Sequence, residues 1–210
     1  VMDPSSEVSI KYGVTDITKY GKTAEVSEIH VHDQYSAGIY PRNDIATIIL
    51  SSPILYSETA SPIDLAETDS GNYAGEDAMV SGWGCVLEGG SVSKILQAVQ
   101  VPVITNEVCT DRYGSSAITD DMLCAGYLPV GDKGPCKGDS GGPMVSKKGE
   151  QIGVVSCGRE CARPGVYTRV STLNEWISQH SISVKMNSCR ILTYIQAAIV
   201  VLLTCNNYYV

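Results

Sequence analysis

Short apolar stretches, each stopped by glycine, proline or a polar cluster, recur along this chain and constrain its fold more than any other feature. Val8–Tyr12 and Ala24–His32 (AEVSEIHVH) alternate with a period of two, as half-buried strands do. Ile45–Leu50 (IATIIL) is a continuous apolar run ended by Ser51, Ser52 and Pro53, which suits a buried strand. Ala78–Gly84, Leu96–Ile104, Gln151–Ser156 and Gly165–Val170 read as further strands, and Thr59–Gly75 as a polar connector. Helical patterning is scarce. A short helix is predicted within Thr105–Tyr113, ending near Cys109. A second is predicted over Ser171–His180, with Thr172 as its cap, Glu175 three residues later, and Leu173, Trp176 and Ile177 on one face. With 20 glycines and 9 prolines as punctuation, the pattern describes an all-β sandwich or barrel with a C-terminal helix.

The composition is globular, with 43% apolar and 18% charged residues. A net charge of -8 argues against nucleic acid and anionic membrane as partners. The eight cysteines match no zinc-module spacing, so neither a metal nor a cofactor is expected, and disulfides in an oxidising compartment are the better reading. Val1–Glu7 has neither a basic start nor an apolar run, from which we expect an N-terminal portion to lie outside these 210 residues. Near the other end, Ile191–Thr204 is strongly apolar but shorter than the ~20 residues of a spanning helix. With small residues at Asn187 and Ser188 before it, this tail reads as a membrane or lipid anchor, or as an unrelated extension or a buried extra helix.

Gly138-Asp139-Ser140-Gly141-Gly142-Pro143 carries the chemistry. A serine hydroxyl is a poor nucleophile at neutral pH and needs a base to take its proton. It also needs donors aimed at the oxyanion formed when it attacks a carbonyl. Glycines around it allow a tight turn with uncovered amides, so the Gly138 and Ser140 N–H groups are candidates for an oxyanion hole.

This motif follows Asn43-Asp44-Ile45-Ala46, Val80–Gly84 (VSGWG) and Met122–Gly126 (MLCAG), and precedes VVSCG, PGVYTRV and the Trp176 helix. In that order, over roughly residues 8–180, the chain resembles the chymotrypsin-fold serine proteases, close to the trypsin-like members and to mite-type ones among them. The resemblance implies two six-stranded antiparallel β-barrels, the first incomplete, and a C-terminal helix. It divides the chain into an incomplete first barrel (1–77), a second barrel with its helix (78–180) and the apolar tail (181–210). It implies Asp44 as the triad aspartate, Ser140 as the nucleophile, and Ser156 beside the buried aspartate. It also implies that Asp139 binds an activation N-terminus. Disulfides Cys109–Cys124 and Cys136–Cys161 follow from the same resemblance, leaving Cys85, Cys157, Cys189 and Cys205 unassigned.

The chain departs from the family pattern in several places. None of its three histidines, His30, His32 and His180, lies in a T-A-A-H-C segment. Structural roles are expected for them. Val1-Met2-Asp3-Pro4 does not match an activation terminus, so Asp139 is expected to carry an unpaired charge. In the specificity pocket, the position of the tryptic aspartate holds Gly134, followed by Pro135, with Asp132 outside the floor. Gly158 and Gly165 match the glycines of the pocket walls, which implies a preference for large apolar side chains. Cys157 replaces a usual Trp, and the loop at Arg163-Pro164 is short. The expected function is a secreted, monomeric serine endopeptidase acting on protein or peptide substrates through an acyl-enzyme, seen as an incomplete and inactive chain. The alternatives are a non-catalytic homologue acting as a binding or decoy protein, and a membrane-anchored protease should the tail be an anchor.

Overall fold

The computed structural model of the chain describes residues 8–114, 116–128, 133–158, 161, 164–181 and 199–201. Most of the chain is β-structure in two sheets.

The first sheet is open. Its strands β1 (Ser9–Tyr12), β2 (Lys22–Val31) and β3 (Ala46–Leu50) run antiparallel in sequence order. β3 is buried along its whole length, as its apolar residues around Thr47 require. Ala24, Val26, Ile48 and Leu50 form a small core on one face of this sheet, with Val8, Ile10, Tyr12, Ile29 and Ile54 packed against it.

The second sheet contains a closed barrel. β4 (Asp64–Leu65) lies within the predicted polar connector and pairs in parallel with Glu150 and Gln151. β5 (Asp77–Gly82) pairs with β6 (Gln97–Ile104), and after α1 (Asn106–Tyr113) β6 pairs with β7 (Met122–Ala125). β8 (Pro143–Ser146) joins β5 to β9 (Glu150–Cys157). β10 (Gly165–Arg169) pairs with both β9 and β7 and so closes the ring of six strands. Val80, Val101, Val103, Leu123, Met144, Ile152, Val154 and Tyr167 belong to its core. β9 is buried at all but its two end residues, and Gly153 at its centre has a packing reason. A Cβ there would lie 3.3 Å from the Cβ atoms of both Met144 and Tyr167. α2 (Val170–His180) buries Val170, Leu173 and Ile177, and β11 (Ile199–Val201) adds to the first sheet.

Several local expectations need correction. α2 starts at Val170, with Arg169 as its cap position, so Thr172 lies inside the first turn. The Thr172 hydroxyl donates back to the Arg169 carbonyl. The Arg169 guanidinium donates to the Asp120 and Met122 carbonyls, which fixes the chain just before the helix. α1 extends past Cys109 to Tyr113 because both residues are buried on the same side, one turn apart. Tyr113 also packs edge-on against Tyr40, with ring centroids 5.3 Å apart. The connector is partly ordered by pairing: Ala66 N–H donates to the Gln151 carbonyl, and Asn174 Nδ2 donates to the Ala66 carbonyl. In the tail, the described residues form a strand, not a helix. The remainder of Ile191–Thr204 lies outside the described residues, as do Val1, Cys189 and Cys205.

Disulfide Cys109–Cys124 ties α1 to β7, and Cys136–Cys161 ties the segment before Ser140 to the one after β9. Cys85 is in no disulfide among the described residues. The Cys85 thiol donates to the Gly90 carbonyl at 3.0 Å. The Cys109–Cys124 bridge closes a separation of 15 residues, for which the chain-entropy relation gives about 3 kcal/mol. Replacing both cysteines by alanine is expected to lower unfolding stability by that order in a urea titration, with a larger m-value because the denatured chain is no longer cross-linked.

Candidate active site

Asp44 is placed by a tight local turn. Asn43 adopts φ 48°, a left-handed conformation that asparagine tolerates better than most residues, and its N–H donates to Asp121 Oδ2 at 2.7 Å. The Ile45 N–H then folds back to the Asn43 carbonyl, leaving Asp44 at the apex just before β3. The side chain is 2% exposed. Its Oδ2 accepts the Ser156 hydroxyl at 2.7 Å, and its backbone carbonyl accepts the Thr168 hydroxyl at 2.7 Å. Its Oδ1 is buried without a hydrogen-bond partner among the described residues. Burial pushes the Asp44 carboxyl up to about 6, and the Ser156 hydrogen bond offsets part of that rise. Thr168 was not singled out from the sequence. The only signal available was its place in PGVYTRV, whose alternation aims it at the same junction.

Ser140 lies in a turn between the Cys136–Cys161 bridge and β8, and it is exposed. The turn is held by hydrogen bonds on both sides. Asp139 N–H donates to the Cys136 carbonyl and Gly142 N–H to the Asp139 carbonyl. Gly141 N–H donates to the Val155 carbonyl, while Val155 N–H donates to Gly142. Gly138 has φ 98°, which only glycine adopts without strain. Among the described residues, no carbonyl accepts from the Gly138 or Ser140 amide.

Asp139 differs from the expectation of an unpaired charge. Its Oδ1 accepts the Gly84 N–H at 2.8 Å and its Oδ2 accepts the Cys136 N–H at 2.9 Å. Gly82 and Gly84 make room for it, since a Cβ on either would fall within 2.6 Å of its carboxylate. The carboxylate is thus satisfied by main-chain donors, which compensate for its partial desolvation.

The histidines gather elsewhere. His180 stacks on Trp176 at 4.4 Å between ring centroids, His32 meets the same indole at 4.8 Å, and His30 lies 5.8 Å from His180. Their ring nitrogens are engaged locally. His30 Nε2 faces Glu28 at 3.2 Å, His32 Nδ1 accepts the Gln34 N–H, and His180 Nδ1 bonds to the Trp176 carbonyl. Burial lowers the His32 pKa, which favours its neutral form. The cluster joins the end of β2 to α2, and none of its hydrogen bonds reaches Asp44 or Ser140.

Of the expected pocket residues, Gly165 is buried on β10 and Gly134 is half-buried. A Cβ at Gly165 would lie 3.2 Å from Pro135 Cγ and 3.4 Å from the Tyr167 hydroxyl oxygen, itself buried with no hydrogen-bond partner among the described residues. Gly158 is exposed just after β9. Asp132 and Arg163 lie outside the described residues. Among the described residues no group of three or more His, Cys, Asp or Glu side chains could hold a metal ion.

The Trypsin family model matches residues 2–177. A vitellin-degrading protease of Bombyx mori is 39% identical over 181 residues, covering 84% of this chain and 67% of that protein. Trypsin-1 of Astacus astacus is 39% identical over 167 residues, 77% of this chain and 69% of that one. Trypsin Blo t 3 of Blomia tropicalis is 38% identical over 187 residues, 86% and 70% of the two chains. With a family match spanning both sheets and identities of this size across most of its length, the chain belongs to the trypsin family of serine proteases.

Proposed function

We propose that this chain carries the aspartate and serine of a serine endopeptidase centre, Asp44 and Ser140, and that none of its own histidines serves as the base between them. The observation that carries this reading is the Asp44 carboxylate. One oxygen is held by Ser156, and the other is buried with no partner among the described residues. A buried acceptor is costly unless an N–H donor meets it, and an imidazole N–H is the donor such a carboxylate orients in acyl transfer. Asp44 comes from the 1–77 part and Ser140 from the 78–180 part, so the site forms where the two meet. The Gly138 and Ser140 amides, accepted by no described carbonyl, serve as the oxyanion donors.

With His32 and His180 held at Trp176 and His30 against His180, Ser140 stays a weak alcohol, and these 210 residues give no ordinary turnover. Substrates are proteins or peptides, as for the family. Gly134 supplies no carboxylate for a basic side chain, which favours apolar residues before the cleaved bond. Pro135 and the Tyr167 ring crowd Gly165 and limit the depth available. The two disulfides support an oxidising, extracellular compartment. Among the described residues no helix is long and apolar enough to cross a membrane. A second reading, a non-catalytic binding or decoy homologue, is favoured by the same crowding at Gly165 and by Cys157.

Hydrolysis of a fluorogenic peptide by these 210 residues is expected to run at least about 10⁴-fold below that of an intact triad. Added imidazole is expected to raise the rate, and Ser140→Ala and Asp44→Asn to remove that gain. Full turnover without imidazole that vanishes in Ser140→Ala would overturn the missing-base reading. Peptide binding with no imidazole-dependent rate would favour the decoy.

Asp44 also sets a pH dependence. Its folded pKa of about 6 exceeds the ordinary 3.8, so the native state holds its proton more tightly than the unfolded chain. That contribution is fully present below pH 3.8 and is lost as pH rises through 6. The shift corresponds to about 3 kcal/mol. Relative to Asp44→Asn, the wild-type chain is expected to lose stability of that order between pH 4 and 8 in denaturant titrations.

A further inference from the structure

The three histidines that gather between β2 and α2 are wired differently. His180 Nδ1 meets the Trp176 carbonyl at 2.8 Å, so that nitrogen carries a proton in the neutral ring as it does in the cation. His30 Nε2 faces the Glu28 carboxylate at 3.2 Å, an acceptor for a proton on that nitrogen. His32 is the reverse case. Its Nδ1 accepts the Gln34 N–H at 3.1 Å, which only an unprotonated nitrogen does. The imidazolium carries N–H at both ring nitrogens, so whichever way the ring turns it offers Gln34 no acceptor. The turn closed by this bond leads to Asp44. The Gln34 carbonyl accepts Asn43 Nδ2 at 3.1 Å, and Asn43 keeps its φ of 48° with its N–H on Asp121 Oδ2. The Asn43 carbonyl in turn takes the Ile45 N–H, with Asp44 between them.

We propose that His32 is an acid-opened latch on the Asn43–Asp44 turn: protonation at Nδ1 takes away the acceptor of the Gln34 amide, frees the link from Gln34 to Asn43, and loosens the seat of Asp44. The surroundings of the ring set where the latch opens. Burial opposes the cation most, and His180 of α2 adds to that opposition. Asp33 on the same turn and Asp121 before β7 favour the cation. Glu175 of α2 lines the same groove as His32 and Asp121. The balance holds His32 below the ordinary 6.5. A histidine depressed in the folded state binds its proton more tightly when unfolded, so the native state loses stability as pH falls from 6.5 through the folded value. Asp44, pushed up to about 6, changes stability in the opposite direction over an overlapping range. The latch concerns the position of Asp44 and holds whether or not Ser140 is catalytic, so its failure leaves the missing-base reading intact.

The informative substitution is His32→Asn, whose Oδ1 takes the place of Nδ1 in an Asx turn and does not titrate. Histidine and amide nitrogen shifts and amide hydrogen exchange of the full chain are followed from about pH 7.5 to about pH 4. In the wild-type chain the His32 Nδ1 and Gln34 amide shifts are expected to share one midpoint below 6.5. Across it, protection factors at Asn43 and Ile45 are expected to fall at least about tenfold. Val103, whose N–H donates to the Glu76 carbonyl in the barrel, is expected to keep its protection and so to report an intact fold. In His32→Asn, Asn43 and Ile45 are expected to stay protected down to about pH 4. His180→Gln removes an opposing neighbour and is expected to move the His32 midpoint up, toward 6.5. Protection at Asn43 and Ile45 that does not change across the wild-type His32 midpoint would overturn the proposal. So would an equal loss in His32→Asn, which would make Asp44 or Asp121 the titrating group. Should Val103 lose protection in the variant, the wild-type shifts decide alone, and a Gln34 midpoint different from that of His32 sinks the latch.

Discussion

Asp44 sits where the open sheet meets the barrel, and both halves of the molecule are arranged around it. Its carboxylate takes the hydroxyl of Ser156 from β9, and its carbonyl takes that of Thr168 from β10. Those two strands close the barrel, so the same hydrogen bonds that fix the aspartate join the first sheet to the second. Burying a carboxylate this deeply opposes its ionisation, and the single hydroxyl compensates only partly. The position therefore costs stability near neutral pH. Such a cost is consistent with a group kept for chemistry, since a buried apolar residue of similar size would be cheaper in a purely structural role.

The loop around Ser140 shows a different solution to the same problem. Asp139 is surrounded by main-chain donors from Gly84 and Cys136, and glycines at 82 and 84 leave space for its oxygens. The loop is self-consistent without a cationic partner. Shape at Ser140 is set by backbone hydrogen bonds to β9 and by the adjoining disulfide, whereas reactivity depends on a base that neither of them supplies. Geometry and activation are separable here, which is why family membership and catalytic competence are distinct statements for this chain. His32 and His180 instead pack with Trp176, His30 lies against His180, and together they pin α2 to the end of β2.

Most strands were legible because period-two alternation or an unbroken apolar run marks them directly, as in Ala24–His32 and IATIIL. The motif around Ser140 was legible because its glycines are required by the turn itself, as the positive φ of Gly138 shows. Less was legible where pairing partners are distant. The two residues of β4 form a strand only because Glu150 and Gln151 lie beside them. The start of α2 moved upstream because Arg169 is anchored to carbonyls almost fifty positions away.

By itself the sequence determined the β-rich class, the punctuation of the strands, the turn chemistry at Ser140 and that none of its three histidines lies in a T-A-A-H-C segment. All of these are local, or depend on residue type alone. Tertiary structure decided that Asp139 is satisfied by amides, that His32 and His180 meet at Trp176, and that Asp44 keeps one oxygen unpartnered among the described residues. It also decided that part of an apolar tail pairs with β3 as an edge strand. These outcomes depend on which groups are brought together from far apart in the chain, and hydrogen-bond satisfaction cannot be read until those partners are in place.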